Sequence, residues 1–361
     1  MTEKRATALI LGATSQLGMA VIDLLTKRNM PRWRIFAADT ATRLPLLRAM
    51  CGTLQLQSDD LELIEYDAEN LSLNVPAGGL ERITDDLHTL FHLDHLRDRT
   101  RPTNEVRSHN IRIAERAIEL AKLSNNLKAL VVVTDVGLTG DYPGRFSETW
   151  TDVGQTPFDE VDRTSIEVEQ KCLQAPDLPI VRARVGLLSD YAAPGLGTKP
   201  WRTAARVLLP SLNFWRHLPR FLAIPTAIAK GALAPLTPTT WAAEALVHLA
   251  ETTERPRYAV HLVVTPQPAL EQVLEMVTRR AGGARLKGEL PLSFLKRIAE
   301  LPGLGDAARR QADQLSSFLA LHRYCLSKND LDVVEARAAL RDALPIPVWT
   351  EVEDRFFLEF A

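Results

Sequence analysis

Three groups of residues in this chain are of types and spacings that could do chemistry. The first is Gly12-Ala-Thr-Ser-Gln-Leu-Gly18. A glycine turn that follows an apolar strand and opens a helix leaves backbone amides of Gly12, Thr14, Ser15, Gln16, Leu17 and Gly18 facing outward, where they can hold a pyrophosphate. Gly12 permits the tight turn and Gly18 the close packing of helix on strand; Ser15 stands where a middle glycine would allow the nearest phosphate approach. The second is Asp39, 21 residues after Gly18 at the end of a second strand. An acid there accepts from the 2′-hydroxyl of NAD(H) and repels the 2′-phosphate of NADP(H), so NAD(H) is the expected cofactor, with Arg43 near enough to compete for that role. The third is a set at later strand ends: His92, His95, Thr134, Asp135 and Tyr142. A histidine and an aspartate at one mouth can form an acid/base pair. The favoured reading, since no spacing singles them out, is the plainer one, in which His92 and His95 close a strand and its loop and Asp135 caps a turn.

Other chemistries lack their residues. There is no GxSxG elbow, no HExxH pair and no Walker loop. Cys51, Cys172 and Cys325 are too far apart in sequence for a metal motif, and their odd number fits a reducing cytoplasmic setting. A net charge of -2 gives no electrostatic argument for nucleic acid. No apolar run is long enough to span a membrane, and the N-terminal apolar run reads as a strand.

The elements that must position these residues alternate. Strands are expected at Ala6–Leu11, Arg34–Ala38, Leu61–Tyr66, Thr89–Leu93, Leu130–Val133 and Leu178–Val185, with helices at 17–28, 41–51, 105–124 and 157–174. That alternation implies an α/β fold: a Rossmann-type, doubly wound parallel sheet over residues 1–190. A smaller substrate-side lobe is expected over 191–305, with some segments returning to the core, and a helical C-terminal segment over 306–361. Asn329 or Asp330 is expected to cap a helix there, ended by Pro345 and Pro347. The stretch from Trp201 to Leu236 alternates arginine with long apolar groups; it reads as a pocket for a lipophilic small molecule, a membrane-surface segment or an ordinary helix pair broken by prolines.

The motifs GATSQLG, ITDDLHTLFHLDH, SHNIRIAERAIELA and VVVTDVGLTG occur in the order found in extended short-chain dehydrogenase/reductases. The chain most resembles the branch with thioester and fatty-acyl reductases and NAD-dependent epimerase/dehydratases. LPIVRARVGLLSD and APLTPTTWAAEALVHLAE extend the resemblance over residues 6–265. It implies that EYDAENLSL passes the adenine, which adds Asp67 and Ala68 to the cofactor contacts, and it adds Leu93 after the fourth strand. It also implies a Ser/Thr, a Tyr and a Lys four residues after it as the catalytic groups. The matching positions hold Asp135, Val161 and Ser165. Valine carries no exchangeable proton, so the usual relay cannot run. The resemblance therefore implies a catalytically degenerate protein, acting as a nucleotide- or ligand-responsive binding protein or as a subunit of a homo- or hetero-oligomer. The alternative is an enzyme with replaced chemistry on a lipophilic or thioester-linked substrate.

Overall fold

A computed structural model describes residues 6–28, 33–56, 60–67, 75, 78–98, 101–189, 223–226, 231–252, 258–280, 285–289 and 328–358. Ala68, Cys325 and most of the Trp201–Leu236 stretch lie outside the described residues.

The first half alternates as the sequence predicts: β1 (Ala6–Leu11), α1 (Gln16–Lys27), β2 (Trp33–Asp39), α2 (Leu44–Thr53), β3 (Leu61–Glu65), α3 (Gly79–Thr84), β4 (Thr89–His92), α4 (Thr103–Leu123) and β5 (Ala129–Asp135). After a short β6 (Arg145–Phe146) come α5 (Glu160–Leu173), β7 (Ile180–Val185) and β8 (Leu187–Ser189). Further on are β9 (Ala223–Thr226), β10 (Leu236–Pro238), α6 (Thr239–Glu251), β11 (Tyr258–Leu262), α7 (Leu270–Arg280), β12 (Arg285–Glu289), β13 (Asp330–Leu331), α8 (Val334–Leu340) and α9 (Trp349–Leu358).

Seven strands form one parallel sheet in the order β11-β7-β5-β4-β1-β2-β3. The central strands are short runs of Val, Ile, Leu, Phe and Ala, apolar on both faces, as a sheet covered by helices on each side requires. On one face Ile10, Ile35, Val131 and Val260 pack against Val21 and Ile22 of α1, Leu47 of α2 and Leu246 of α6. On the other face Leu9, Phe36, Leu90 and Leu130 pack against Ile83 of α3, Ile113 and Ala117 of α4 and Val168 of α5. Strand order reverses between β1 and β4, so the crevice at their C-terminal ends is where a ligand of such a sheet sits.

Two expectations for the tail need correction. Asp330 caps no helix: with Leu331 it forms β13, paired parallel with β6. Asn329 caps none either, since its amide donates to Thr139 Oγ1 at 2.9 Å and to the Gly140 carbonyl at 3.1 Å. Asp332 opens α8 instead, accepting from the Val334 amide at 2.9 Å. Pairing with β6 draws residues 330–331 into extended backbone, which moves the helix start three residues on. Pro345 and Pro347 do follow the helical turns, and their carbonyls accept from Trp241 Nε1 and the Thr265 amide.

Candidate functional site

The turn between β1 and α1 is the one the glycines imply. Gly12 has φ +82°, and a Cβ there would lie 2.6–2.7 Å from the backbone and Cβ of Asp94. A Cβ on Gly18 would lie 2.4 Å from the Gly12 carbonyl oxygen. Both positions therefore admit glycine alone, one for conformation and space, the other for helix-to-turn packing. Ser15 is the N-cap of α1, its hydroxyl accepting from the Gly18 amide at 2.9 Å.

The amides of this turn are largely spoken for. Gly12 and Ala13 donate to the Ala38 carbonyl, and Ser15 to Gly12. Thr14 donates through its amide (2.8 Å) and its hydroxyl (2.6 Å) to Asp39 Oδ2. The amides of Gln16 and Leu17, at the first turn of α1, remain for a ligand. The Gln16 side chain reaches across to α6, donating to Thr239 Oγ1 at 2.9 Å.

Asp39 sits at the end of β2 as expected, yet it is fully buried. Its Oδ1 accepts from the Thr40 amide at 2.8 Å. Burial, then the neighbouring Asp94, raises its pKa above the ordinary carboxylate value, against the hydrogen bonds from Thr14 and Thr40. In this arrangement Asp39 braces the glycine turn. Asp67 follows β3 half-buried, and Leu93 is buried after β4 with its amide donating to the Leu11 carbonyl at 2.9 Å.

A charged group unnoticed in the sequence occupies the switch point. Asp94 is buried, with Oδ1 3.2 Å from Arg43 Nη1 and Oδ2 3.4 Å from the Tyr66 hydroxyl. His109 Nε2 approaches Oδ1 to 3.4 Å without meeting hydrogen-bond geometry. Burial pushes the Asp94 pKa up, but His109 and Arg43 outweigh it and hold the carboxyl at about 2. Arg43, the residue expected to compete with Asp39, stands 3.9 Å from Asp39 Oδ1 and closer to Asp94.

The positions matching the family's catalytic groups do come together, at the ends of β5 and in the first turns of α5. Val161 and Ser165 are buried. The Ser165 hydroxyl donates to the Val161 carbonyl at 2.8 Å and receives the Asp135 amide at 3.3 Å. His95 Nε2 lies 3.0 Å from the same oxygen; with the serine proton directed to the helix carbonyl, Nε2–H is the donor. Ser165 is thus no nucleophile awaiting a base. Asp135 Oδ1 accepts from the Gly137 amide at 2.7 Å, the turn-capping role. Its Oδ2 pairs with Arg97 Nε at 2.7 Å, and Arg97 Nη2 also donates to the Val185 and Gly186 carbonyls at the end of β7. Asn110 uses its whole amide on packing: Oδ1 accepts from the Leu96 amide, and Nδ2 donates to Thr164 and the Leu96 carbonyl.

The remaining candidates divide. Both ring nitrogens of His92, and Nδ1 of His95, are buried without a hydrogen-bond partner. Burial chiefly lowers the two imidazoles to about 4 and about 3, so both are neutral near pH 7. Among the described residues no group of His, Cys, Asp and Glu is arranged to hold a metal. Thr134 faces α5, donating to Glu169 Oε1 at 3.0 Å. Tyr142 is not at the crevice: it packs edge-on against Phe146 and Trp150, with centroids 5.5 and 5.3 Å away.

A dinucleotide would find a fitting turn, with two glycines and the Gln16 and Leu17 amides. Beside it stand Asp94 at one end of the crevice and the Arg97–Asp135 pair at the other. A nicotinamide dinucleotide, if bound, would supply or accept hydride, and these residues would hold and orient it.

No protein-family model matches the chain, and no curated protein matches it. Solved structures do. The terminal R domain from the myxalamid PKS-NRPS biosynthetic pathway superposes with TM-score 0.75 at 17% identity, over 100% of this chain and 91% of that one. The thiolation-reductase di-domain from an archaeal non-ribosomal peptide synthetase gives 0.70 at 15%, over 98% and 75%. The UDP-glucuronic acid 4-epimerase from Bacillus cereus, solved in complex with NAD, gives 0.58 at 17%, over 79% and 87%. At such identities the likeness is one of fold. The seven-stranded parallel sheet with helices on both faces is the fold expected from the motif order, and it is the fold of these reductase-domain and epimerase structures.

Proposed function

We propose that this chain is a non-catalytic protein of the extended short-chain dehydrogenase/reductase fold, acting as a nucleotide- or ligand-responsive binding protein or as an inactive subunit of a complex. One observation carries the reading. Where a proton relay would stand, Val161 offers a buried hydrocarbon, Ser165 donates within its own helix, and Asp135 is paired with Arg97. An anion at Asp135 also opposes the negative charge that develops on a carbonyl oxygen during reduction.

For a dinucleotide the preference is NAD(H) over NADP(H). With Asp39 committed to Thr14 and Thr40, that preference rests on charge: Asp39 and Asp94 both disfavour a 2′-phosphate, and the nearby Arg43 already serves Asp94. Titration with NADH and NADPH, followed by nicotinamide fluorescence, tests the binding half. Reduction of aldehydes, ketones and acyl thioesters under saturating cofactor tests the catalytic half. Turnover at rates ordinary for this fold overturns the reading.

A further inference from the structure

The crevice contains its own anion. Asp94 follows β4 at the switch point, and its backbone and Cβ fill the space above Gly12 that any other residue's Cβ would need. Its carboxylate lies with that of Asp39 around the single guanidinium of Arg43, at 3.2 and 3.9 Å. The two acids already oppose each other, since Asp94 is second only to burial in raising the Asp39 pKa. Burial weakens solvent screening, so charges here act on one another more strongly than on the surface. A pyrophosphate at the Gln16 and Leu17 amides brings two more negative charges to this end of the sheet.

We infer that Asp94 is a specificity-determining residue that holds down the affinity of the crevice for phosphate-bearing nucleotides, so that an uncharged nucleoside is accepted as readily as its phosphorylated form. The inference rests on the reading of the crevice as a nucleotide site. The buried carboxylate is held by Arg43 at the start of α2 and Tyr66 just after β3, with His109 of α4 close by, so it is a fixed feature of the fold rather than a surface charge that swings away.

The test is calorimetric titration of adenosine, ADP and NADH into wild type, Asp94→Asn and Asp94→Ala, each checked for cooperative melting. Asn keeps the shape and removes the charge. Wild type should bind ADP no more tightly than adenosine. Asp94→Asn should bind ADP and NADH at least ten-fold more tightly than wild type, with adenosine nearly unchanged. A ten-fold preference of wild type for ADP over adenosine overturns the inference without any variant. So does a folded Asp94→Asn or Asp94→Ala with no gain for NADH. Failure of the nucleotide-site reading appears separately, as no binding of adenosine, ADP or NADH to wild type or to either variant.

Discussion

Two buried polar regions lie on the same sheet, and they are built on different principles. Beneath the outer strands, Glu169 of α5 receives Arg184 through two hydrogen bonds of 2.7 Å and Arg182 at 3.1 Å. Arg184 Nη1 lies 3.0 Å from His261 Nε2, and His261 Nδ1 lies 2.6 Å from the Asp332 carbonyl. The carbonyl can only accept, so Nδ1 carries the proton and Nε2 accepts from the arginine. Thr134 and Thr151 complete the carboxylate. Two guanidiniums there share one carboxylate, and each of these side chains is held by several hydrogen bonds. In the crevice, by contrast, His92 and His95 keep unpartnered ring nitrogens, and two carboxylates share one arginine. Fully hydrogen-bonded polar networks fix a core, whereas leftover polar capacity collects where a ligand or ordered water would complete it. On the proposed reading the outer network is structural and the crevice is the site.

The sharpest way to break this comparison is Glu169→Ala. It strands two buried guanidiniums, and removing one partner of a buried ion pair costs about 3–5 kcal/mol. Urea denaturation should show a loss of that size; a change under 1 kcal/mol means the network is not holding the core. Next in size is Glu148→Gln. Glu148 is buried and accepts from the amides of His261, Glu335 and Ala336, joining β11 to α8. Leaving buried donors unmet costs about 1–3 kcal/mol. Burial, against those amides, raises the Glu148 pKa from 4.5 to about 8. A raised carboxyl contributes stability that is fully present below its unfolded value and lost as pH rises through the folded one. The stability of wild type relative to Glu148→Gln should therefore fall between pH 4.5 and about 8. A flat difference over that window contradicts the assignment. The smallest effect belongs to the turn: Ser15→Ala should cost about 1 kcal/mol through the lost N-cap, and Ser15→Gly only a few tenths. An equal loss for both in thermal melts would mean that the serine hydroxyl does more than cap α1.

Much of the first half of the fold is legible in the sequence because its strands are unbroken apolar runs and its glycine turn has one physical solution. β11 is also largely apolar, but its place at the sheet edge depends on pairing with β7, 73 residues away from Val185 to Tyr258, which periodicity does not encode. The positions that match the family's catalytic groups, Asp135, Val161 and Ser165, are read from the motif order alone. The roles of Asp39 and Asp94 are not. Whether a strand-end aspartate faces a ligand or braces Thr14 depends on side-chain geometry, and the sign of the crevice depends on Arg43, Tyr66 and His109 converging from three elements. The run of charge in FHLDHLRDR, directly after an apolar strand, is the one signal that marks Asp94 and Arg97 as crevice residues.

The central claim is that the site has lost its proton relay. A general acid/base contributes typically about 10²–10⁴-fold to rate, and on the proposed reading Val161 stands at the position of the relay tyrosine. The direct measurement is single-turnover oxidation of NADH and NADPH by the wild-type protein with an aldehyde, a ketone and an acyl thioester. It should be run beside Val161→Tyr with Ser165→Lys, with and without Asp135→Ser. The account predicts no turnover above background for wild type and weak turnover only when the changes are combined. Brisk wild-type oxidation, unaffected by replacing Asp135, would contradict it.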